Sequence, residues 1–208
     1  MEMKNDMLTK EKFDELFEII QAKEVKIVEL EGRIKFLENR NDLMERRMDD
    51  LESYGRRQNL RIVGIPPPND GRKETAEEVT TKVKEAITAL NVPDVNLDDV
   101  IDRAHRVGKK FTKDTGEIVH PIIVRFTSWR SRTAVYRKRE KEGRIKFYTD
   151  LTKRRLLLKK KAQSLVENNV KVKFAFADVN NNIGLRLAND RMVFFNSEDE
   201  LEKILQDL

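Results

Sequence analysis

The 208-residue chain contains no cysteine and only two histidines. Without cysteine there can be no disulfide, no thiolate-bound zinc and no cysteine nucleophile. Two histidines, His105 and His120, are too few for an imidazole metal cluster. The sequence also lacks an apolar run long enough to cross a membrane. We therefore expect a cytoplasmic or nuclear protein with no metal, no cofactor and no membrane partner.

Motifs that would indicate an enzyme are missing as well. There is no Gly-rich phosphate loop of the Walker or dinucleotide-binding type. His105 stands near Asp102, but no nucleophile or oxyanion-stabilising group accompanies the pair. The acidic residues form no cluster with metal-ligand spacing. The sequence thus predicts a protein that is not an enzyme, with no catalytic residue.

What the chain has in excess is charge, and the positive charge is concentrated in one block. The whole chain has a formal net charge of +5. Residues 1–54 carry 10 basic and 15 acidic side chains, whereas residues 103–165 carry 20 basic and 5 acidic ones. A local block of net charge +15 predicts a polyanion-binding face. The alternative is that these basic side chains are the solvated surface of a helix with no role in binding.

Candidate nucleic-acid contacts follow from this block. Arginine and lysine neutralise phosphates, and aromatic rings stack on bases. The predicted contacts are Arg103, Arg106, Lys109, Lys110, Arg125, Arg130, Arg132, Arg137, Arg139, Tyr148, Lys153, Arg154 and Arg155.

A heptad repeat occupies the N-terminal quarter of the chain. With Phe13 at position a, ten of the twelve a and d positions through Leu51 are apolar, the exceptions being Lys23 and Asn41. The other faces are mostly charged, so this pattern predicts a parallel coiled coil. The predicted oligomerisation residues are Ile20, Ile27, Leu30, Arg33, Ile34, Leu37, Glu38, Asn41, Met44 and Met48.

The sequence leaves two candidates for the oligomeric state of the coiled coil, a trimer and a dimer. Arg33 at g can reach Glu38 at e of the next helix, which resembles the signature of short parallel trimers. Asn41 at an a position favours a dimer instead. We predict a homo-oligomer, with a trimer preferred over a dimer.

The fold predicted for the remainder is α+β. The segments 60–65, 74–90, 100–107, 121–126, 128–142 and 145–148 follow the order β-α-β-β-α-β of a ferredoxin-like, RNA-recognition-motif-like domain. Residues 97–104 could alternatively be helical, residues 111–116 form a polar loop, and Gly55 ends the first helix. A helix at 152–168, strands at 170–177, 183–187 and 191–195, and a helix with a capping box from Ser197 follow.

This gives four predicted regions. Residues 1–9 are a disordered N-terminus and residues 10–54 the oligomerising coiled coil. Residues 55–149 are the RNA-recognition-motif-like domain. Residues 150–208 are a small α-β-β-β-α nucleic-acid-binding domain.

Three strings of the sequence resemble a known family. Residues 56–66 (RRQNLRIVGIP), 102–108 (DRAHRVG) and 121–126 (PIIVRF) stand in the order seen in the first-open-reading-frame proteins of LINE-type non-LTR retrotransposons. The resemblance covers residues 13–208. Arg106, Arg125, Arg154 and Arg155 match positions at which that family places basic residues for RNA. The C-terminal part is also similar to baculovirus few-polyhedra-type proteins.

The resemblance implies that the protein is a trimeric nucleic-acid chaperone that binds single-stranded RNA, or DNA. Such a protein packages the element's transcript into cytoplasmic ribonucleoprotein particles and so supports retrotransposition. The strand at 122–126 lacks the paired aromatics of a standard RNA-recognition motif. The alternative is a coiled-coil adaptor whose C-terminal domains bind protein partners.

Overall fold

The computed structural model describes residues 10–68, 72–93, 95–112, 116, 118–140, 142–166 and 170–208. The predicted disordered N-terminus, residues 1–9, lies outside the described residues. The chain is α+β and separates into two compact units, residues 1–48 and 49–208. A long N-terminal helix is followed by antiparallel sheets, so the coarse fold class is as predicted.

The first helix, α1, runs without a break over Lys10–Arg56. Proline is absent from it, and its a and d side chains follow the heptad pattern. Gly55 does not end it as predicted, since its backbone stays helical and Arg56 adds a further residue. The reason is that the Arg56 guanidinium pairs with Glu52 one turn back (2.6 Å) and donates to Asp150 (3.2 Å). These contacts favour continuing the helix over a glycine cap.

The larger sheet has four antiparallel strands. The elements from β1 onward are β1 (Asn59–Val63), α2 (Ala76–Thr88), α3 (Leu97–Val100), β2 (Ile101–Arg106), β3 (Phe111–Thr112), β4 (Ile118–Val119), β5 (Ile122–Phe126), α4 (Trp129–Lys138) and β6 (Lys146–Thr149). The strand order in the sheet is β2-β5-β1-β6.

One face of this sheet carries the core. Leu60, Val124 and Phe147, on three different strands, are buried together with Val83 of α2 and Val135 of α4. The period of two in strands and of about 3.6 in helices puts these apolar residues on facing surfaces. Both α2 and α4 therefore pack on the same side of the sheet.

The helix boundaries reflect capping. Ser128 caps α4 as predicted, its hydroxyl accepting from the Ser131 N–H. The α4 helix ends at Lys138, short of the predicted residue 142, because Arg139 takes an extended ψ of 140°. A capping box between Thr75 and Glu78, which the sequence reading missed, starts α2.

Two predicted segments differ from the structure. The stretch read as either strand or helix contains both, since the short α3 leads directly into β2. The predicted polar loop at 111–116 contains β3, which pairs with β4 through Phe111 opposite Val119 and Thr112 opposite Ile118. Two registered residue pairs are enough to form this small ladder, and residues 113–115 lie outside the described residues.

The C-terminal elements follow the order α-β-β-β-α. They are α5 (Lys153–Val166), β7 (Val172–Ala177), β8 (Ile183–Leu187), β9 (Met192–Phe195) and α6 (Glu198–Gln206). Leu158, Leu185 and Leu201 are among their buried core residues. At Ser197 the predicted box is half formed. Its hydroxyl accepts from the Glu200 N–H, but the Glu200 carboxylate accepts from the Asn196 N–H.

Candidate nucleic-acid interface

The second face of the four-stranded sheet is open to solvent. Its side chains alternate along each strand with those of the core. Register and alternation place nine residues on this open face, which are Asn59, Arg61, Val63, Arg103, His105, Ile123, Arg125, Lys146 and Tyr148.

Strand register arranges these residues in rows across the sheet. His105 lies opposite Ile123, Ile123 opposite Arg61, and Arg61 opposite Tyr148. With neighbouring strands about 4.8 Å apart, this row spans about 14 Å. The Tyr148 ring is 46% exposed at one end of the row, which leaves its face available for stacking.

The next row concentrates positive charge. Arg103 lies directly opposite Arg125, and like charges in that arrangement repel each other. Arg103 is exposed and has no ion pair within the described ranges. An anion placed between the two guanidiniums would relieve their repulsion.

The carboxylates that pair with the arginines of the open face differ in exposure. The Arg125 Nε lies 3.4 Å from an Asp102 carboxylate oxygen, with both side chains about half exposed. An exposed pair of this kind contributes at most about 1 kcal/mol. The Arg61 guanidinium is 3.7 Å from Asp150, whose buried carboxylate also accepts from Asn59 at 3.0 Å. A phosphate could therefore compete successfully with Asp102 for Arg125.

Arg106 is not on the open face, so its predicted role as a phosphate contact is wrong. In β2 the side chains of Arg103 and His105 point to the open face, and those of Ala104 and Arg106 point to the other. Arg106 pairs with Glu74 at 2.8 Å. Its guanidinium also donates to three backbone carbonyls, those of Ile65, Pro66 and His120.

The Arg106–Glu74 pair stabilises the fold and predicts a pH dependence. Burial alone would raise the pKa of Glu74, but hydrogen bonds from Arg106 and Lys82 lower that pKa below its ordinary value. The contribution is therefore complete above the unfolded pKa of about 4.3 and is lost as pH falls through the folded value. We expect Glu74→Gln to cost about 3 kcal/mol of unfolding free energy at about pH 7.

Urea denaturation of the wild type and Glu74→Gln at about pH 7 and about pH 3 checks this prediction. The difference between the two proteins should shrink at the lower pH. Glu85→Gln, on an exposed position of α2, is the control and should be near neutral at both. An equal loss at both pH values would contradict the ion-pair explanation.

Arg132 is fully buried, so its predicted contact with phosphate is also wrong. Its Nε donates to the Asn59 carbonyl at 3.2 Å and its Nη1 to the Val179 carbonyl at 2.6 Å. Burial lowers the pKa of Arg132 to about 10, still well above neutral pH. The residue is a charged clamp between α4, the start of β1 and the turn before β8.

Arg155 and Arg139 are also engaged inside the chain. Arg155 pairs with Asp49 at 2.8 Å and Asp50 at 2.7 Å and is largely buried. The Arg139 guanidinium lies 3.6 Å from the centre of the Tyr136 ring and donates to the Tyr136 carbonyl. The predicted phosphate contact of Arg155 is therefore wrong, because its charge is already neutralised. Arg139 is held but remains partly exposed.

The other predicted contacts are accessible but dispersed. Arg130 and Arg137 are exposed on α4, which covers the opposite side of the sheet from Tyr148. Lys109 and Lys110 follow β2, and Lys153 and Arg154 begin α5. Of the predicted set, only Arg103, Arg125 and Tyr148 meet on the open face.

Several residues of this surface were missed in the sequence. Both Arg61 and Lys146 lie on the open face. Arg61 stands between buried residues of β1, and Lys146 stands beside Phe147 of β6. Strand alternation would have identified both. A cleft of about 530 Å³ lined by Tyr54, Arg57 and Trp129 is a second accessible aromatic site, with the Arg57 guanidinium 3.6 Å from the Tyr54 ring centre.

Other kinds of site find no support in the described part of the chain. There, no group of three His, Cys, Asp or Glu residues could hold a metal ion. Among the same residues, no helix is long and apolar enough to span a membrane. No protein-family model and no curated protein matches this chain.

Proposed function

We propose that this chain is an RNA-binding protein that binds single-stranded RNA on the open face of the four-stranded sheet. The observation that carries the proposal is the convergence of Arg61, Arg103 and Arg125 on the face that exposes Tyr148. Guanidiniums bind phosphates in bidentate geometry, and an exposed aromatic ring stacks on a base of any identity. Single-stranded DNA has the same two features and is expected to bind as well.

The middle domain is proposed to be RNA-recognition-motif-like. Strand order β2-β5-β1-β6 and two helices on one side support a ferredoxin-like arrangement. Such folds host many functions, so the argument rests on the open face rather than on the topology. Tyr148 stands on β6, whereas the central strand β5 presents Ile123 and Arg125. This predicts binding by phosphate contacts plus limited stacking, and hence little sequence preference.

The α1 helix is proposed to form a parallel homotrimer. Its a and d side chains, among them Ile20, Ile27, Ile34 and Leu37, are each about half exposed in one copy of the chain. Burying an aliphatic side chain fully contributes about 1.5–3 kcal/mol, which drives association. Oligomerisation would display several RNA-binding faces together and raise affinity for long RNA through effective concentration.

The proposed role follows from these two parts and from the resemblance to LINE-type first-open-reading-frame proteins. A non-enzymatic chaperone with several sequence-tolerant sites would coat a retrotransposon transcript. It would package that transcript into a ribonucleoprotein particle, cytoplasmic or nuclear, that supports retrotransposition.

The proposal predicts a specific loss of RNA binding. Arg103→Ala combined with Arg125→Ala should weaken binding of a single-stranded RNA of about 20 nucleotides by tenfold or more. Two lost phosphate contacts should reduce the slope of log affinity against log salt by about 1.4. Fluorescence anisotropy at several salt concentrations measures both effects.

The matched control is Arg130→Ala with Arg137→Ala, which removes the same charge from the opposite side of the sheet. It should change affinity only slightly and leave the salt slope intact. If the two double variants lose affinity equally, the open face is not the site. If the wild type shows no micromolar binding at low salt, the RNA-binding proposal fails.

The second candidate is a coiled-coil adaptor that binds protein through its C-terminal elements. One observation favours it. Phe174, Phe194 and Met192 are each about half exposed on the outer face of the three-stranded sheet, and Phe176 packs edge-to-face against both phenylalanines. Exposed apolar patches often mark protein-binding surfaces. This candidate would be preferred if RNA binding is absent.

A further inference from the structure

We infer that a basic cavity at the outer edge of β2 binds a phosphate group, and that the two histidines of the chain strengthen this binding at mildly acidic pH. The cavity adjoins the open face but is separate from the arginines on that face. Where the phosphate belongs to RNA, the inference rests on the proposed function. Binding of a free phosphate or sulfate does not depend on that proposal.

The cavity has a volume of about 420 Å³ and lies beside the end strand of the four-stranded sheet. Within β2, His105 points to the open face and Arg106 to the other, yet both line the cavity. The cavity therefore opens at the outer edge of β2, next to the row that contains His105, Ile123 and Arg61. Its volume lies in the range of about 300–1,000 Å³ that is usual for small-ligand sites.

Positive charge dominates the lining of this cavity. Four basic side chains line it, among them Lys73 and Lys110, and Glu74 is the one carboxylate among the lining residues that the structure describes. Glu74 already pairs with Arg106 at 2.8 Å. Lys73 and Lys110 are exposed and have no ion-pair partner within the described ranges. Cations that share a cavity without a counter-ion attract an anion from solution.

Both histidines of the chain line the same cavity. His105 belongs to β2 and is exposed, whereas His120 lies between β4 and β5 and is partly buried. Imidazole is the side chain whose charge ordinarily changes between about pH 5 and pH 8. Mild acidification would therefore add two positive charges to a cavity that is already basic.

The sign of the pH effect depends on the charged groups around the two imidazoles. Lysine and arginine keep their charge throughout this range, and carboxylates are ordinarily ionised above about pH 5. Burial would raise the pKa of Glu74, but hydrogen bonds from Arg106 and Lys82 lower it below its ordinary value, so this carboxylate stays charged as well. The cavity thus becomes more positive as pH falls. The charged groups that face the imidazoles in the cavity or lie in the neighbouring row of the open face are Arg72, Lys73, Glu74, Arg106, Lys110, Asp102, Arg103 and Arg125.

A phosphate group suits this set of donors. Its oxygens accept hydrogen bonds from several directions at once, and ammonium and protonated imidazole groups donate without the fixed fork of a guanidinium. A phosphodiester of an RNA strand that crosses the open face past His105 would reach the cavity. The phosphate of a free nucleotide has the same chemistry, so the experiment must distinguish these two sources.

The first arm of the experiment tests the cavity without RNA. Because the chain has only two histidines, NMR can follow the ring C–H signals of each one separately. Sodium sulfate is the probe, because its charge stays constant over the pH range used. Sulfate should shift both signals and should bind more tightly at about pH 5.5 than at about pH 7.5, relative to sodium chloride of equal ionic strength.

Lysine variants show whether the shifts report on the cavity. Lys73→Ala combined with Lys110→Ala should remove most of the sulfate-induced shifts, because it deletes the two unpaired cations. The matched control is Lys138→Ala with Lys160→Ala, which removes the same charge from exposed positions elsewhere. The control should keep the shifts of both histidine signals.

The second arm uses an oligouridine of about 20 nucleotides, whose bases take up no proton in this pH range. At constant salt, its affinity for the wild type should rise about fivefold or more between about pH 7.5 and about pH 5.5. His105→Gln with His120→Gln should reduce this ratio to less than about twofold. The Arg103 and Arg125 variant should bind more weakly at both pH values but keep the ratio, because its histidines are intact.

Failure of this inference differs from failure of RNA binding. If sulfate shifts neither signal, or only that of His105, the cavity is not a phosphate site and the inference is overturned. Equal sulfate affinity at both pH values would overturn the role of the histidines. If sulfate shifts both signals but the histidine variant keeps the pH dependence of RNA binding, the phosphate belongs to a free compound. A wild type that binds no RNA at low salt would refute the proposed function and leave the sulfate result standing.

Discussion

Replacing Arg132 by alanine is expected to lower the free energy of unfolding of residues 49–208 by about 3–5 kcal/mol. The guanidinium is fully buried and is the hydrogen-bond donor to the carbonyls of Asn59 and Val179. Both carbonyls are partly buried, and a carbonyl left without a donor in such a site costs about 1–3 kcal/mol. The emptied volume adds a cavity term.

Urea unfolding followed by circular dichroism measures this loss. Arg130→Ala and Arg137→Ala, at exposed positions of the same helix, are the controls and should each change stability by about 0.5 kcal/mol or less. Arg132→Lys should rescue only in part, because an ammonium lacks the fork that spans two carbonyls. A stable Arg132→Ala that has lost RNA affinity would restore the original assignment of Arg132 as a phosphate contact.

Arg132 also illustrates why charge alone does not identify a binding face. Arg130, Arg132 and Arg137 are three arginines of one basic stretch, and the sequence predicts all three as nucleic-acid contacts. The helical period separates them, because Arg132 lies three and four residues before the buried Val135 and Tyr136. Its inward direction was therefore predictable from spacing. Its partners were not, since the Val179 carbonyl is far away in sequence.

For Arg103, Arg106 and Arg125, too, the direction of the side chain is predictable from the sequence but the partner is not. Alternation along β2 and β5 is readable from the sequence and places Arg103 and Arg125 on one face. The ion pair between Arg106 and Glu74 joins residues far apart in the chain, so only tertiary structure reveals it. The order of helices and strands was predictable because it depends on local periodicity. Which arginines remain free depends on long-range pairing.

The arginines that are held inside the fold reduce the number of basic side chains available to bind RNA. Arg106 and Arg155 are paired with carboxylates, and Arg132 is buried against carbonyls. The positive block therefore offers fewer free cations than its net charge suggests. Those on the open sheet face acquire greater weight, because Arg103 and Arg125 stand next to each other and, among the described residues, the exposed Asp102 is the only ion-pair partner of Arg125.

Breaking the seam of α1 is expected to have the largest effect on binding of long RNA. Ile27→Asp combined with Ile34→Asp puts two charges at adjacent a positions and should leave a monomer in sedimentation equilibrium. For an RNA of about 40 nucleotides, affinity should fall by a hundredfold or more, because linked sites lose their effective concentration. Ala22→Asp, at an exposed position outside the seam, should keep both the oligomer and its affinity.

A short RNA separates lost avidity from damage to the binding face. An RNA of about 8 nucleotides can occupy only one face at a time, so the seam variant should bind it nearly as well as the wild type. The Arg103 and Arg125 variant should lose affinity for both lengths, since its defect lies in each face. If the seam variant lost the short and the long RNA equally, the oligomer would be supporting the fold of the sheet rather than clustering its binding faces. The ratio of the two affinities therefore measures what oligomerisation contributes to RNA binding.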